Sequence, residues 1–204
     1  MIGILNYGVG NLKAFANVLK SLNFPHQIVH TKEELKACSK IIMPGVGSFD
    51  SVMNKLLESG IQEILTELVL EHRVPILGVC VGMQILASGS EEGVKSGLGW
   101  INGYVKKFKF NEQNRSLTIP QIGWNEVVAI KDNGLLKDLE NNPRFYFLHS
   151  YYMDCAEQAD ILGTTDYGGP FACAVNKGNI YGTQFHPEKS HHNGVKVIHN
   201  FAKL

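Results

Sequence analysis

The run VPILGVCVGMQILA, residues 74–87, decides how this 204-residue chain is read. A short apolar stretch leads into Gly78, and Cys80 then stands between two valines with a second glycine at 82. VPILGVC fits a buried strand and GMQILA fits the start of a helix. Gly78-Val79-Cys80-Val81-Gly82 therefore has the spacing of a strand–nucleophile–helix elbow, with sulfur where the G-x-S-x-G turn carries oxygen. Such a turn forces its central residue into strained torsions and needs small neighbours, because side chains at 78 and 82 would meet the strand or the helix. It lifts the thiol clear of the sheet edge and sets it at a helix N-terminus, which favours the thiolate. It also directs the N–H of Val81 to where an oxyanion would form. The plainer reading of a lone cysteine is a small buried hydrophobe. That reading is taken for Cys38, Cys155 and Cys173, which no comparable turn surrounds.

Working outward, the first half alternates strand and helix signals. IGILN is a strand closed by the turn YGVG. NLKAFANVLKSL spaces Leu12, Phe15, Leu19 and Leu22 for one helical face, with Asn11 as its cap. HQIVH is a strand, and Thr31 and Glu34 have capping-box spacing. KIIMPGVGSF is a strand ended by Pro44 and a glycine turn, followed by helices over about 50–58 and 61–72. This alternation implies an α/β fold with a mostly parallel central sheet and helices on both faces, flavodoxin-like in type. From about residue 98 the segments GYVKKFKF, NEVVAI, RFYFLHSYY, ILGTTDY, FACAVN and NIYGTQF predict a strand-rich second half, and HNGVKVIHNFAKL predicts a closing helix. With no repeat, low-complexity tract or linker, residues 1–204 read as one domain.

Composition removes several function classes. Lys+Arg and Asp+Glu number 19 each, which gives no electrostatic ground for a nucleic-acid or anionic-membrane partner. No apolar run reaches the ~18 residues that span a bilayer, and MIGILNYG lacks a basic leader, so the expected location is the cytoplasm. The four scattered cysteines suit neither a disulfide framework nor a zinc knuckle. YGVGNLK lacks the third glycine of a dinucleotide loop, and GSEEGVKS lacks the P-loop spacing. His186, His191 and His192 fix no metal geometry, and NRS at Asn114 is a glycosylation triplet of a kind common by chance. No cofactor is expected.

A thiol nucleophile needs a base. In GTQFHPEKS, His186 ends an apolar strand, Pro187 turns the chain at the carboxyl edge of the sheet, and Glu188 follows. Cys80, His186 and Glu188 thus fit nucleophile, base and orienting carboxylate. Read alone, His186 is a strand-end histidine bonded to backbone. Pro44-Gly45-Val46-Gly47 is a turn whose glycines let backbone N–H groups swing toward a ligand, which would supply a second oxyanion donor. Read alone, it is a plain turn.

Taken together, PGVGSF, GVCVGMQ and FHPEKS, in this order over nearly the whole chain, resemble the class I, triad-type glutamine amidotransferases. NYGVGNL, SEEG…GLG, GWN at 123–125 and LHSYY at 148–152 narrow the resemblance to the glutaminase subunits of imidazole glycerol phosphate synthases. The resemblance implies that Cys80 attacks the side-chain amide of L-glutamine to form a thioester, that His186 assists ammonia release, and that Glu188 orients His186. It assigns the oxyanion-hole N–H groups to Val46 and Val81, and glutamine binding to Gly45, Gly47, Gln84, His149, Ser150 and Tyr151. It also implies a heterodimer with a synthase (cyclase) subunit of (β/α)8 barrel fold that receives the ammonia, with Gln121, Ile122 and Trp124 at the interface. Three features depart from the family pattern: Gln121 where histidine is expected, Val81 where leucine is usual, and His191–His192 after HPEKS. They leave open a sugar amidotransferase of surface-polysaccharide synthesis as the acceptor. A non-catalytic regulatory subunit and a stand-alone γ-glutamyl hydrolase are the remaining alternatives.

Overall fold

The computed structural model describes residues 1–110, 112, 116–132 and 134–204; Asn114 and Arg115 of the NRS triplet lie outside the described residues. The first half is strand β1 (Ile2–Leu5), helix α1 (Leu12–Ser21), β2 (His26–Val29), α2 (Lys32–Lys36), β3 (Lys40–Gly45), α3 (Phe49–Glu58), α4 (Gln62–Thr66) and β4 (Ile76–Cys80). The caps are those the sequence announces. Asn11 Oδ1 accepts from the N–H of Ala14, and Thr31 and Glu34 close a reciprocal capping box. Phe15 and Leu19 of α1 are buried, and every residue of β1 and β4 is buried, as central strands covered on both faces must be. After α4 the helix widens into a π turn over Glu67–Glu71.

The remaining elements are α5 (Val81–Gln84), β5 (Gly103–Lys107), β6 (Gln121–Glu126), β7 (Val128–Ala129), β8 (Arg144–His149), β9 (Tyr151–Cys155), β10 (Ile161–Asp166), β11 (Pro170–Lys177), β12 (Ile180–Thr183) and α6 (His191–Lys203). The main sheet runs β2-β1-β3-β4-β12-β11-β10-β7, with β9 joining β11 and β5 joining β9. It is parallel from β2 to β12 and antiparallel beyond. A separate pair, β6–β8, is tied to the main sheet where the N–H of His186 donates to the carbonyl of Tyr146 at 2.9 Å.

The sequence expectation fails in three places, each for a tertiary reason. GMQILA does not extend as a helix beyond Gln84. The carbonyls of Ile85, Leu86 and Ala87 accept instead from the N–H groups of Leu98, Gly99, Trp100 and Ile101. RFYFLHSYY is not one strand: it breaks at Ser150, and β8 and β9 belong to different sheets. NEVVAI is likewise divided: β6 follows β8 from Gln121 to Glu126, and Val128 and Ala129 then pair with Thr164 and Gly163 of β10 in the main sheet.

Candidate functional site

Parallel register sets Gly45 of β3 beside Cys80 of β4, and Val79 beside Thr183 of β12. The carboxyl ends of three neighbouring strands thus open at one place, where α/β sheets hold ligands. Cys80 has φ 55° and ψ −115°, a strained conformation for a residue with a Cβ. The glycines around it explain how the turn is tolerated. A Cβ on Gly78 would lie 2.5 Å from Gly82 O, one on Gly82 2.1 Å from Met43 O, and one on Gly45 2.0 Å from Gly82 N. The elbow is therefore built from direct backbone contacts among β3, β4 and α5.

His186 follows β12 and is 3% exposed. Its Nδ1 lies 2.9 Å from Glu188 Oε1, so Nδ1–H donates to the carboxylate and Nε2 is left for Cys80. Burial by itself lowers the pKa of His186. Hydrogen bonds to Cys80 and Glu188 outweigh burial and hold it up to about 10. An imidazolium beside sulfur is the charge state that favours a thiolate. Gln184 Nε2 approaches Cys80 Sγ at 3.8 Å, and its Oε1 accepts from Gln84 Nε2 at 3.0 Å. Ser190 braces this segment, donating to His186 O at 2.6 Å and accepting from Tyr146 N–H at 2.9 Å.

A cavity of about 300 Å³ lies over the sulfur, lined by Val46, Gly47, Cys80, Val81, Gln84, Glu92, Pro120, Leu148, His149, Ser150, Tyr151, His186 and Lys189. That size suits one small ligand. His149 Nδ1 donates to Tyr151 O at 2.8 Å across the β8–β9 break. Burial, with His186 nearby, pushes the His149 pKa down to about 4, so this ring is neutral near pH 7. Among the described residues no group of His, Cys, Asp and Glu side chains could hold a metal ion.

Most of the residues singled out in the sequence converge here. Gly45 packs beneath the cavity rather than lining it. Ile122 is 61% exposed on the outer face of β6, and Trp124 on the same face stacks on His191, with centroids 5.0 Å apart and planes 3° apart. Gln121 differs from its two neighbours: it is buried on the inner face opposite His149, and its side chain presents no surface to a partner. The sequence reading passed over Glu92, whose Oε2 accepts from Phe49 N–H at 2.7 Å at the start of α3, and Lys189, next to the expected carboxylate. It also passed over Gln184, two residues before His186, and Tyr7. Loop position hides the first of these, and the strand pattern of NIYGTQF hides Gln184.

The sequence profile of the class-I glutamine amidotransferases matches residues 4–204. The chain is 72% identical over 204 residues, covering all of both chains, to imidazole glycerol phosphate synthase subunit HisH of Leptospira borgpetersenii. It is 48% identical, again over all of both, to the subunit of the same name from Bdellovibrio bacteriovorus. The fold is shared with a crystal structure of a glutamine amidotransferase (TM-score 0.73, 19% identity, 100% and 99% of the two chains). It is shared also with a glutamine amidotransferase of Thermotoga maritima (TM-score 0.66, 19% identity, 99% and 82%). A strained cysteine held beside a buried histidine–glutamate pair agrees with that profile, and the chain belongs to the class-I glutamine amidotransferase family.

Proposed function

We propose that the chain acts as one domain, the glutaminase subunit of an imidazole glycerol phosphate synthase, and hydrolyses L-glutamine at Cys80. The observation that carries the reading is the junction of Cys80, at φ 55°, with the buried His186–Glu188 pair in a cavity that also holds Glu92 and Lys189. A small cavity lined by both an acid and a base suits a zwitterionic amino acid.

The Cys80 thiolate attacks the side-chain amide carbon, and the carbonyl electrons move onto oxygen. N–H groups of Val46 and Val81 stabilise that oxyanion. The intermediate collapses to a thioester as His186 gives its proton to the departing nitrogen, which leaves as ammonia. Water, deprotonated by His186, attacks the thioester, and C–S cleavage yields glutamate and restores the thiolate. Glu188 keeps the imidazole in one tautomer throughout. Gly47, Gln84, His149, Ser150 and Tyr151 hold the substrate over the sulfur, with Gly45 fixing the turn beneath it.

Ammonia is mostly protonated at neutral pH, and the ammonium ion is no nucleophile, so direct transfer to a synthase subunit is needed. That partner is read as a (β/α)8 barrel docked in the cytoplasm on the face that carries Ile122 and Trp124. Relatives named as HisH, matched along their whole length, favour this acceptor over a sugar amidotransferase.

The test is glutamate release by the purified chain with and without the cyclase subunit and its nucleotide substrate, beside Cys80→Ala. Strong stimulation, absent in Cys80→Ala, is the expected result. Full activity of Cys80→Ala would overturn the chemistry. Unstimulated, Cys80-dependent turnover would overturn the partner alone.

A further inference from the structure

Strand β1 accompanies β3 only as far as the pair Ile4–Ile42. The N–H of Ile41 is bonded on the β4 side, to Pro75 O. Peptide groups alternate in direction along a strand, so the polar groups of Ile42 and Pro44 face β1. At Pro44, β1 has already turned away. Proline brings no N–H to this unpaired edge, yet its carbonyl still requires a donor. That donor is the phenol of Tyr7, whose O–H is hydrogen-bonded to Pro44 O.

The turn after β1 is shaped to deliver the phenol. Asn6 Oδ1 accepts from Gly8 N–H at 3.2 Å, Gly8 and Gly10 both have φ +90°, and the Tyr7 ring is buried. Gly10 lies against the same proline, where a Cβ would come within 2.5 Å of Pro44 Cβ. On its other flank the Pro44–Gly45 peptide is fixed by pairing of Gly45 with Cys80. One residue later the support ends: Val46 is 53% exposed, and Gly47, at φ +121°, has open space around it.

We propose that Tyr7 is a positioning residue for the glutaminase step, anchoring the Pro44–Gly45 peptide so that the Val46 N–H is presented to the oxyanion beside Cys80. This rests on the role given above to Val46. While the Pro44 carbonyl is held, only φ and ψ of Gly45 decide where that N–H points. Without the anchor, ψ of Pro44 becomes a third freedom, and the donor must be ordered during the reaction itself. Burial, and then the nearby Cys80, push the Tyr7 phenol well above its ordinary pKa, so it remains a donor at any working pH.

The test is Tyr7→Phe, which keeps the ring and removes the hydroxyl, measured in complex with the cyclase subunit and as the isolated chain. Loss of a whole oxyanion donor costs about 10²–10³ in kcat, and a misaimed one is expected to cost about tenfold. KM for glutamine should stay within about twofold, because ground-state binding is untouched. Gly10→Ala, which displaces Pro44 from its other contact, should give the same split between kcat and KM, and it decides the matter if Tyr7→Phe does not fold. Wild-type kcat in a folded Tyr7→Phe protein overturns the proposal, as does a raised KM with kcat retained. Cys80→Ala run in parallel separates the cases: if glutamate release does not depend on Cys80, the glutaminase reading has failed, and not Tyr7 alone.

Discussion

His186 Nδ1 lies 2.9 Å from Glu188 Oε1, and the two side chains are 4% and 2% exposed. An ion pair so withdrawn from water fixes both the tautomer and the protonation of the ring. Glu188→Gln keeps the shape but offers an amide that can donate to Nδ1 and reverse the tautomer. The expected result is a fall in kcat for glutamate release on the order of 10²–10⁴-fold, with KM little changed. Steady-state kinetics across pH 6–10 checks it. A variant with kcat near wild type removes Glu188 from the proposed triad.

The elbow leaves no tolerance for a methyl group at Gly82, where a Cβ would meet Met43 O at 2.1 Å. Both partners are backbone, in α5 and β3, so neither relaxes cheaply. Gly82→Ala should lower stability by about 3 kcal/mol, the upper end of ordinary overpacking costs, and glutamate release should fall with it. Urea denaturation gives the first quantity. A stable, fully active Gly82→Ala would mean that the close approach of β3 to α5 is not required.

These contacts show which parts of the fold were readable from the residues. Gly78, Cys80 and Gly82 announced the elbow because one turn type demands all three. Asn11, Thr31 and Glu34 announced their caps because capping is local. The break at Ser150 had no such signal: RFYFLHSYY is uniformly strand-forming, and only pairing with β6 on one side and with β5 and β11 on the other separates it. The end of α5 was equally hidden, since donors from residues 98–101 claim its next carbonyls. In the site, Cys80, His186 and Glu188 were legible because their chemistry depends on residue type. Glu92 and Tyr7 were not, because a loop acid and a buried phenol take their roles from partners 43 and 37 residues away.

His149 gives a pH-dependent stability of known sign. Burial holds its pKa near 4, below the ordinary value of 6.5, so between those values the unfolded chain binds more protons than the folded one. Stability is therefore lost as pH falls from 6.5 toward 4, by about 2 kcal/mol at pH 5 from this group alone. Comparing urea midpoints at pH 7 and pH 5 for the wild type and His149→Gln tests it. The loss between the two pH values should be smaller in the variant. An equal loss in both proteins would assign the acid sensitivity to other groups.

The proposed interface makes the last prediction. Trp124 stands on the outer face of β6 near exposed Ile122, its ring held flat against His191 at 5.0 Å. A stacked tryptophan has lost its rotamer freedom before any partner arrives, so docking on it carries little further ordering cost. Trp124→Ala should weaken binding of the cyclase subunit by at least about 2 kcal/mol, roughly 30-fold, as interface aromatic anchors do. His191→Ala, which removes only the support, should cost about 0.5–1.5 kcal/mol. Titration calorimetry measures both. Both effects should fall on Kd, while glutamate release by the isolated Trp124→Ala chain is set by the separate cavity over Cys80. Unchanged affinity in Trp124→Ala would move the docking surface away from β6, and the stack with His191 would then be a feature of the surface alone.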